Sequence, residues 1–111
     1  MASLEECREA LHELSTRLEA SSEARSKLSF DRTLACRITD LGAAFHGRLV
    51  NGRLTGIADG DDPDAKIAIT LTSDDLIALV RRRLDLPRAL ATRRVSISAS
   101  PLDLLRLRKL L

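Results

Sequence analysis

Residues 43–58 read AAFHGRLVNGRLTGIA, and this stretch decides the fold. Ala43, Phe45, Gly47 and Leu49 alternate with Ala44, His46, Arg48 and Val50, the period of a strand with one buried face. Asn51-Gly52 follows, and a second run continues from Arg53 to Ala58. Asn-Gly between two alternating runs predicts a two-residue hairpin, because both central residues of that turn need positive φ.

Working toward the N-terminus, Thr33 to Thr39 also alternates, with Leu34, Cys36 and Ile38 on one side and Thr33, Ala35, Arg37 and Thr39 on the other. A turn is expected near Asp40-Leu41-Gly42. Before these strands, Ser3 to about Ala20 has the period of an amphipathic helix. Leu4, Cys7, Leu11, Leu14 and Leu18 fall on one face. Ser3 with Glu6 makes a capping box, and Glu5, Glu6 and Glu9 suit the positive end of the helix dipole. Ser21, Ser22 and Ser26 read as a polar break.

Working toward the C-terminus, residues 59–64, DGDDPD, form an acidic turn that lacks the alternating ligands and closing Glu of a calcium loop. Lys66 to Thr72 is a strand with Ile67, Ile69 and Leu71 inward. Ser73 is the expected cap of a helix that carries Asp74 and Asp75 in its first turn and Leu76, Leu79 and Val80 on its apolar stripe. Pro87 starts a short helix with Ala89 and Leu90. Arg94 to Ser100 alternates again through Val95, Ile97 and Ala99. Ser100-Pro101 opens a last helix with Leu104, Leu105, Leu107, Leu110 and Leu111. The fold class is therefore α+β, a meander of strands framed by helices in one domain over residues 1–111.

Composition narrows the function. The chain has 111 residues, two Phe and no Tyr or Trp, so its core is aliphatic. Stacking on single-stranded bases has no platform, which places nucleic acid last among partners. No stretch reaches the roughly 18–20 apolar residues that cross a bilayer, and the N-terminus lacks the pattern of a signal peptide. Cys7 and Cys36 fall at apolar positions without partner ligands, as expected of reduced thiols in a cytoplasmic protein. The net charge of +2 conceals a division: residues 1–80 hold 9 basic and 14 acidic side chains, residues 81–111 hold 9 and 2. The cationic third either attracts an anionic partner or pairs within the fold, for instance with the acidic first helix.

No catalytic or metal constellation is visible. His12 and His46 have no Cys, Ser or Asp at a nucleophile or metal spacing, and no Gly-rich phosphate loop is present. Asp74-Asp75 diverge on a helix and read as N-terminal charges. The expectation is a non-enzymatic protein with no metal and no cofactor. Arg81-Arg82-Arg83 and Arg93-Arg94 stand out, either as an anion site or as cations near helix C-termini.

The succession of the Asn51-Gly52 hairpin, GDDPDAKIAITLTSDDLIALV, RLDLPRALATRRVSISAS and LDLLRLRKLL resembles the sterol-carrier-protein family, most of all its short stand-alone bacterial members, over roughly residues 11–111. The resemblance implies a five-stranded, mostly antiparallel sheet covered by helices on one face, with an apolar tunnel between the layers. It implies binding of a lipid, fatty acyl chain or sterol, often beside an enzyme domain. Mapped onto this chain, the tunnel wall draws on Ile67, Ile69, Leu71, Leu76, Leu79, Val80, Leu90, Val95, Ile97, Leu104 and Leu105. Arg82, Arg83 and Arg93 are the headgroup candidates. The family usually has glycine where Arg82 and Arg93 stand, and if those turns need positive φ, each arginine costs about 1 kcal/mol. The rival expectation is a protein-interaction or accessory module with a filled core, acting as a homodimer or beside a partner protein.

Overall fold

The computed structural model describes residues 1–22, 26 and 31–108. Helix α1 (Leu4–Ala20) leads into strands β1 (Asp31–Ile38), β2 (Ala43–Val50), β3 (Arg53–Asp59) and β4 (Ile67–Leu71). Helices α2 (Ser73–Val80) and α3 (Leu86–Ala91), strand β5 (Ser96–Ser98) and helix α4 (Pro101–Arg108) follow. The sheet runs β3-β2-β1-β4-β5. β1 and β4 are parallel, and the other three pairings are antiparallel.

The hairpin forms as its sequence dictates: Asn51 and Gly52 have φ of 50° and 78°, the paired left-handed residues that match strand twist. Beyond it, Gly56 at φ 63° and Ile57 bulge opposite Gly47. A Cβ on Gly47 would meet the Thr55 carbonyl oxygen at 2.9 Å, so only glycine fits that crossing. The bulge resets the alternation, which lets both Leu54 and Ile57 pack toward the helices. Register places Phe45 beside Cys36, and Ile67, Ile69 and Leu71 beside Leu34, Cys36 and Ile38.

Helix α1 has the full capping box between Ser3 and Glu6. Cys7, Ala10 and Leu11 are buried, whereas Leu4 is 40% exposed. Ser21 caps the C-terminal end, but Ser22 and Ser26 are helical rather than turn residues. The helix is tied to the sheet by Ser15 Oγ donating to the Leu54 carbonyl at 2.8 Å. Arg8 forks onto Asp59, with Nη2 2.7 Å from Oδ2, while its guanidinium lies 5.8 Å from the Phe45 ring centre.

Three boundaries differ from the sequence expectation. The cap of α2 is Thr72, whose side chain accepts from Asp75 N, because Ser73 is committed elsewhere. Ser73 is fully buried: its N and Oγ donate to Asp40 at 2.8 and 2.6 Å, and its Oγ accepts from Ala2 N. Strand β4 is trimmed at both ends, since Lys66 N turns to Thr33 Oγ1 and Thr72 becomes a cap. Strand β5 shrinks to three residues because Arg93, Arg94 and Val95 donate their amides back to α3 carbonyls. The expected cap of α4 is present, with Asp103 N donating to Ser100 Oγ. Leu110 and Leu111 lie outside the described residues.

Candidate functional site

The inner face of the sheet has two differently covered ends. At one end Cys7, Leu11, Cys36, Ile38, Phe45, Leu71, Leu76, Val80, Leu86, Ala89 and Val95 form a continuous buried cluster. The crevice above Phe45, between α1 and β1–β3, holds only about 10 Å³, at most one water, and its lining is apolar. Burial pushes the Cys36 thiol up to about 12, with Cys7 adding to the shift, and desolvation raises Cys7 as well. Both thiols are inert packing groups at neutral pH.

The other end has fewer buried side chains among the described residues. Leu49 and Ile67 lie at its floor, 5% and 0% exposed, and Leu18, Leu34, Ile97, Ala99 and Leu107 ring them as partly exposed side chains. The ring comes from the last turn of α1, from β1, from β5 and the residue after it, and from α4, over a floor from β2 and β4. Two of the α4 leucines, Leu102 and Leu105, are more than half exposed.

Against this geometry the expected tunnel wall divides. Leu71, Leu76, Val80 and Val95 belong to the closed cluster, with Ile69, Leu79 and Leu90 packed on it. Ile67 lies at the open end, and Ile97 touches both. Leu104 is half-buried on α4, while Leu105 faces solvent. Leu18, Leu34, Leu49, Ala99 and Leu107 belong to the open end although the sequence reading did not assign them to a ligand wall. Leu18 and Leu34 carried the apolar period of their elements, and Leu49 its strand alternation, but nothing in that period says that they meet.

Two buried carboxylates were also missed. Asp75, 3% exposed, accepts from Arg94 Nε at 2.9 and 3.1 Å, and Arg94 Nη2 is 2.7 Å from Oδ1. Asp103, 2% exposed, accepts from Arg32 Nε at 3.0 Å through Oδ2, and Arg106 lies 3.8 Å from Oδ1. Among the described residues Oδ1 has no hydrogen-bond partner. Part of the C-terminal arginine excess is therefore answered inside the fold, by Asp75 and Asp103.

Arg82, Arg83 and Arg93 are exposed. None borders the crevice above Phe45 or either of two open depressions of about 590 and 580 Å³. The first runs along Leu4, Arg37, Gly42, Asp59 and Asp61, the second along Arg32, Arg48, Lys66, Ser100 and Asp103. His46, on the uncovered face, carries its proton on Nδ1, since the 2.9 Å contact to the Gly60 carbonyl requires a donor. Among the described residues no three His, Cys, Asp or Glu side chains gather as metal ligands, and no helix is long and apolar enough to cross a membrane.

The family model described as alkyl sulfatase C-terminal matches residues 8–111. The chain belongs to that family. The stereoselective inverting sec-alkylsulfatase Pisa1 from Pseudomonas sp. is 29% identical, with a TM-score of 0.64 over 82% of this chain and 14% of its own. The chain thus spans about a seventh of that enzyme's length. The sterol carrier resemblance holds for the fold. Sterol Carrier Protein 2 Like 2 from Aedes aegypti superimposes with a TM-score of 0.70 at 14% identity, over 98% of this chain and 100% of its own. The palmitated form of that protein gives 0.68 at 14% identity, over 91% and 89%. No curated protein matches the chain.

Proposed function

We propose that this chain is a non-enzymatic binding module that seats the apolar chain of a lipid, fatty acyl or sterol-like ligand at the open end of its inner sheet face. One observation carries the reading: Leu18, Leu34, Ile97, Ala99 and Leu107 ring a buried aliphatic floor and remain partly exposed. Covering such surface with an alkyl chain gains roughly 25 cal/mol per Å². Of the expected wall, Ile67 and Ile97 belong to this apolar end and support the reading. The palmitated insect protein of the same fold supports an acyl chain as the guest, and the sulfatase kinship supports an alkyl one.

A second reading has its own support. The closed end is filled, and the sulfatase relative is about seven times longer than the matched region. An accessory module that lends a surface to a partner protein or a second copy would need no ligand. Native mass spectrometry of the purified protein, followed by titration with a fluorescent fatty acid, separates the two. Ligand seating predicts saturable 1:1 binding that Leu107→Asp weakens at least tenfold. Absence of both co-purified lipid and saturable binding leaves the accessory reading.

A further inference from the structure

Two helix ends in this chain carry the same costly turn. After α2, Arg82 at φ 57° donates its amide to the Leu79 carbonyl and Arg83 to the Ala78 carbonyl, at 3.2 and 2.8 Å. After α3, Arg93 at φ 60° donates to Leu90 and Arg94 to Ala89, at 3.2 and 2.9 Å. Both are complete left-handed helix terminations, in which glycine is the residue without steric cost. Arginine occupies the left-handed position in both, so each turn gives up stability to hold a guanidinium there.

These two residues belong to a larger group. Arg81, Arg82, Arg83, Arg88, Arg93 and Arg94 fall within fourteen residues that contain one acid, Asp85. Asp85 is committed as the cap of α3, accepting from Arg88 N. Arg94 is committed to Asp75. Among the described residues the other five form no ion pair, and all five are exposed. Helix α3 has six residues, about 9 Å from end to end, so the turns at its two ends stay close. Arg17 donates to the Val80 carbonyl, which brings the last turns of α1 and α2 together. Leu18, beside Arg17, is part of the open apolar end.

We propose that the α2–α3 surface, centred on Arg82 and Arg93, docks the chain on an anionic phospholipid bilayer. Guanidinium forks bind phosphate oxygens bidentately. Charges spread over exposed helix ends, rather than gathered in one depression, suit a plane of many phosphates. Single-stranded nucleic acid is disfavoured because the chain has two Phe and no Tyr or Trp to stack on bases, and duplex DNA is an outcome of the test. The inference does not depend on ligand seating, and the two are measured separately.

Co-sedimentation with vesicles of phosphatidylcholine and phosphatidylglycerol at 3:1, against pure phosphatidylcholine, tests it. Binding to the anionic vesicles alone, lost as salt rises, is the expected result. The double variant Arg82→Gly/Arg93→Gly should partition roughly 10- to 30-fold less, at about 1 kcal/mol for each arginine at the surface. Its melting temperature should rise by a few degrees, so lost binding cannot be ascribed to unfolding. Arg83→Gln/Arg88→Gln, outside the left-handed positions, should also lose binding and keeps the test valid if the glycine pair melts early. Equal binding by both double variants and the parent overturns the proposal. So does equal binding to pure phosphatidylcholine, or tighter binding to a 20-base-pair DNA duplex than to the anionic vesicles.

Discussion

The closed and open ends of the inner sheet face are built from the same strands and the same residue types, yet they are finished differently. At the closed end α1, α2 and α3 converge, and Phe45, Ile38, Leu71, Leu76, Val80 and Val95 are almost wholly buried. At the open end Leu49 and Ile67 are the buried members among the described residues, and their aliphatic neighbours are partly buried. Each end also holds one buried carboxylate. Asp75 at the closed end has both oxygens engaged by Arg94, whereas Asp103 on α4 leaves Oδ1 without a hydrogen bond among the described residues. One end is finished as a core and gives the fold its stability. The other is finished as a surface, with apolar area still to gain from a guest.

The sharpest way to break this comparison is to delete the same atoms at both ends. Leu76→Ala should cost about 3 kcal/mol of unfolding free energy, because a fully packed site leaves a cavity. Leu34→Ala should cost less, about 1–2 kcal/mol, since that side chain is only partly buried. Urea titration measures both, and equal losses would erase the distinction.

A smaller effect separates the carboxylates. Arg94→Ala strands the buried Asp75 charge, while Arg106→Ala leaves Asp103 with its shorter contact to Arg32. The urea midpoint should therefore fall further for Arg94→Ala.

How much of this was legible in sequence depends on the range of the interaction. The Asn51-Gly52 hairpin, the Ser3–Glu6 capping box and the cap of α4 are decided by residues within four positions, and they appear as read. The division of the wall is not local. Leu76 and Leu107 carry the same kind of helical spacing, and only packing tells which is core. Asp75–Arg94, Arg32–Asp103 and Asp40–Ser73 join residues 19, 71 and 33 positions apart, for which the chain carries no periodic signal. Arg82 and Arg93 were legible in part: a family pattern flagged them as glycine positions, and the structure supplies the positive φ.

Chemical reactivity sharpens the closed end further. Cys7 and Cys36 should resist a thiol reagent in the native protein at pH 8, where both remain protonated and buried, and react fully in urea. Rapid native labelling would mean that the closed end opens readily.

The smallest expected effect is a pH slope. Asp40 is held below its ordinary value of 3.8, chiefly by the Ser73 hydroxyl donating to it. The folded state thus binds that proton less readily than the unfolded chain. Its stabilisation is complete above the ordinary carboxylate value and is lost as pH falls through the lower folded value. Asp40→Asn should flatten the acid limb of the stability profile below about pH 4, and an unchanged limb would remove Asp40 from the account.

The central claim, an apolar seat at the open end only, is tested most directly by methyl NMR of protein labelled at Leu, Ile and Val and titrated with dodecanoate. The account predicts saturating shifts at Leu18, Leu34, Ile97 and Leu107, with Leu76, Val80 and Val95 unmoved. Shifts confined to the closed cluster, or none at any methyl, would contradict it.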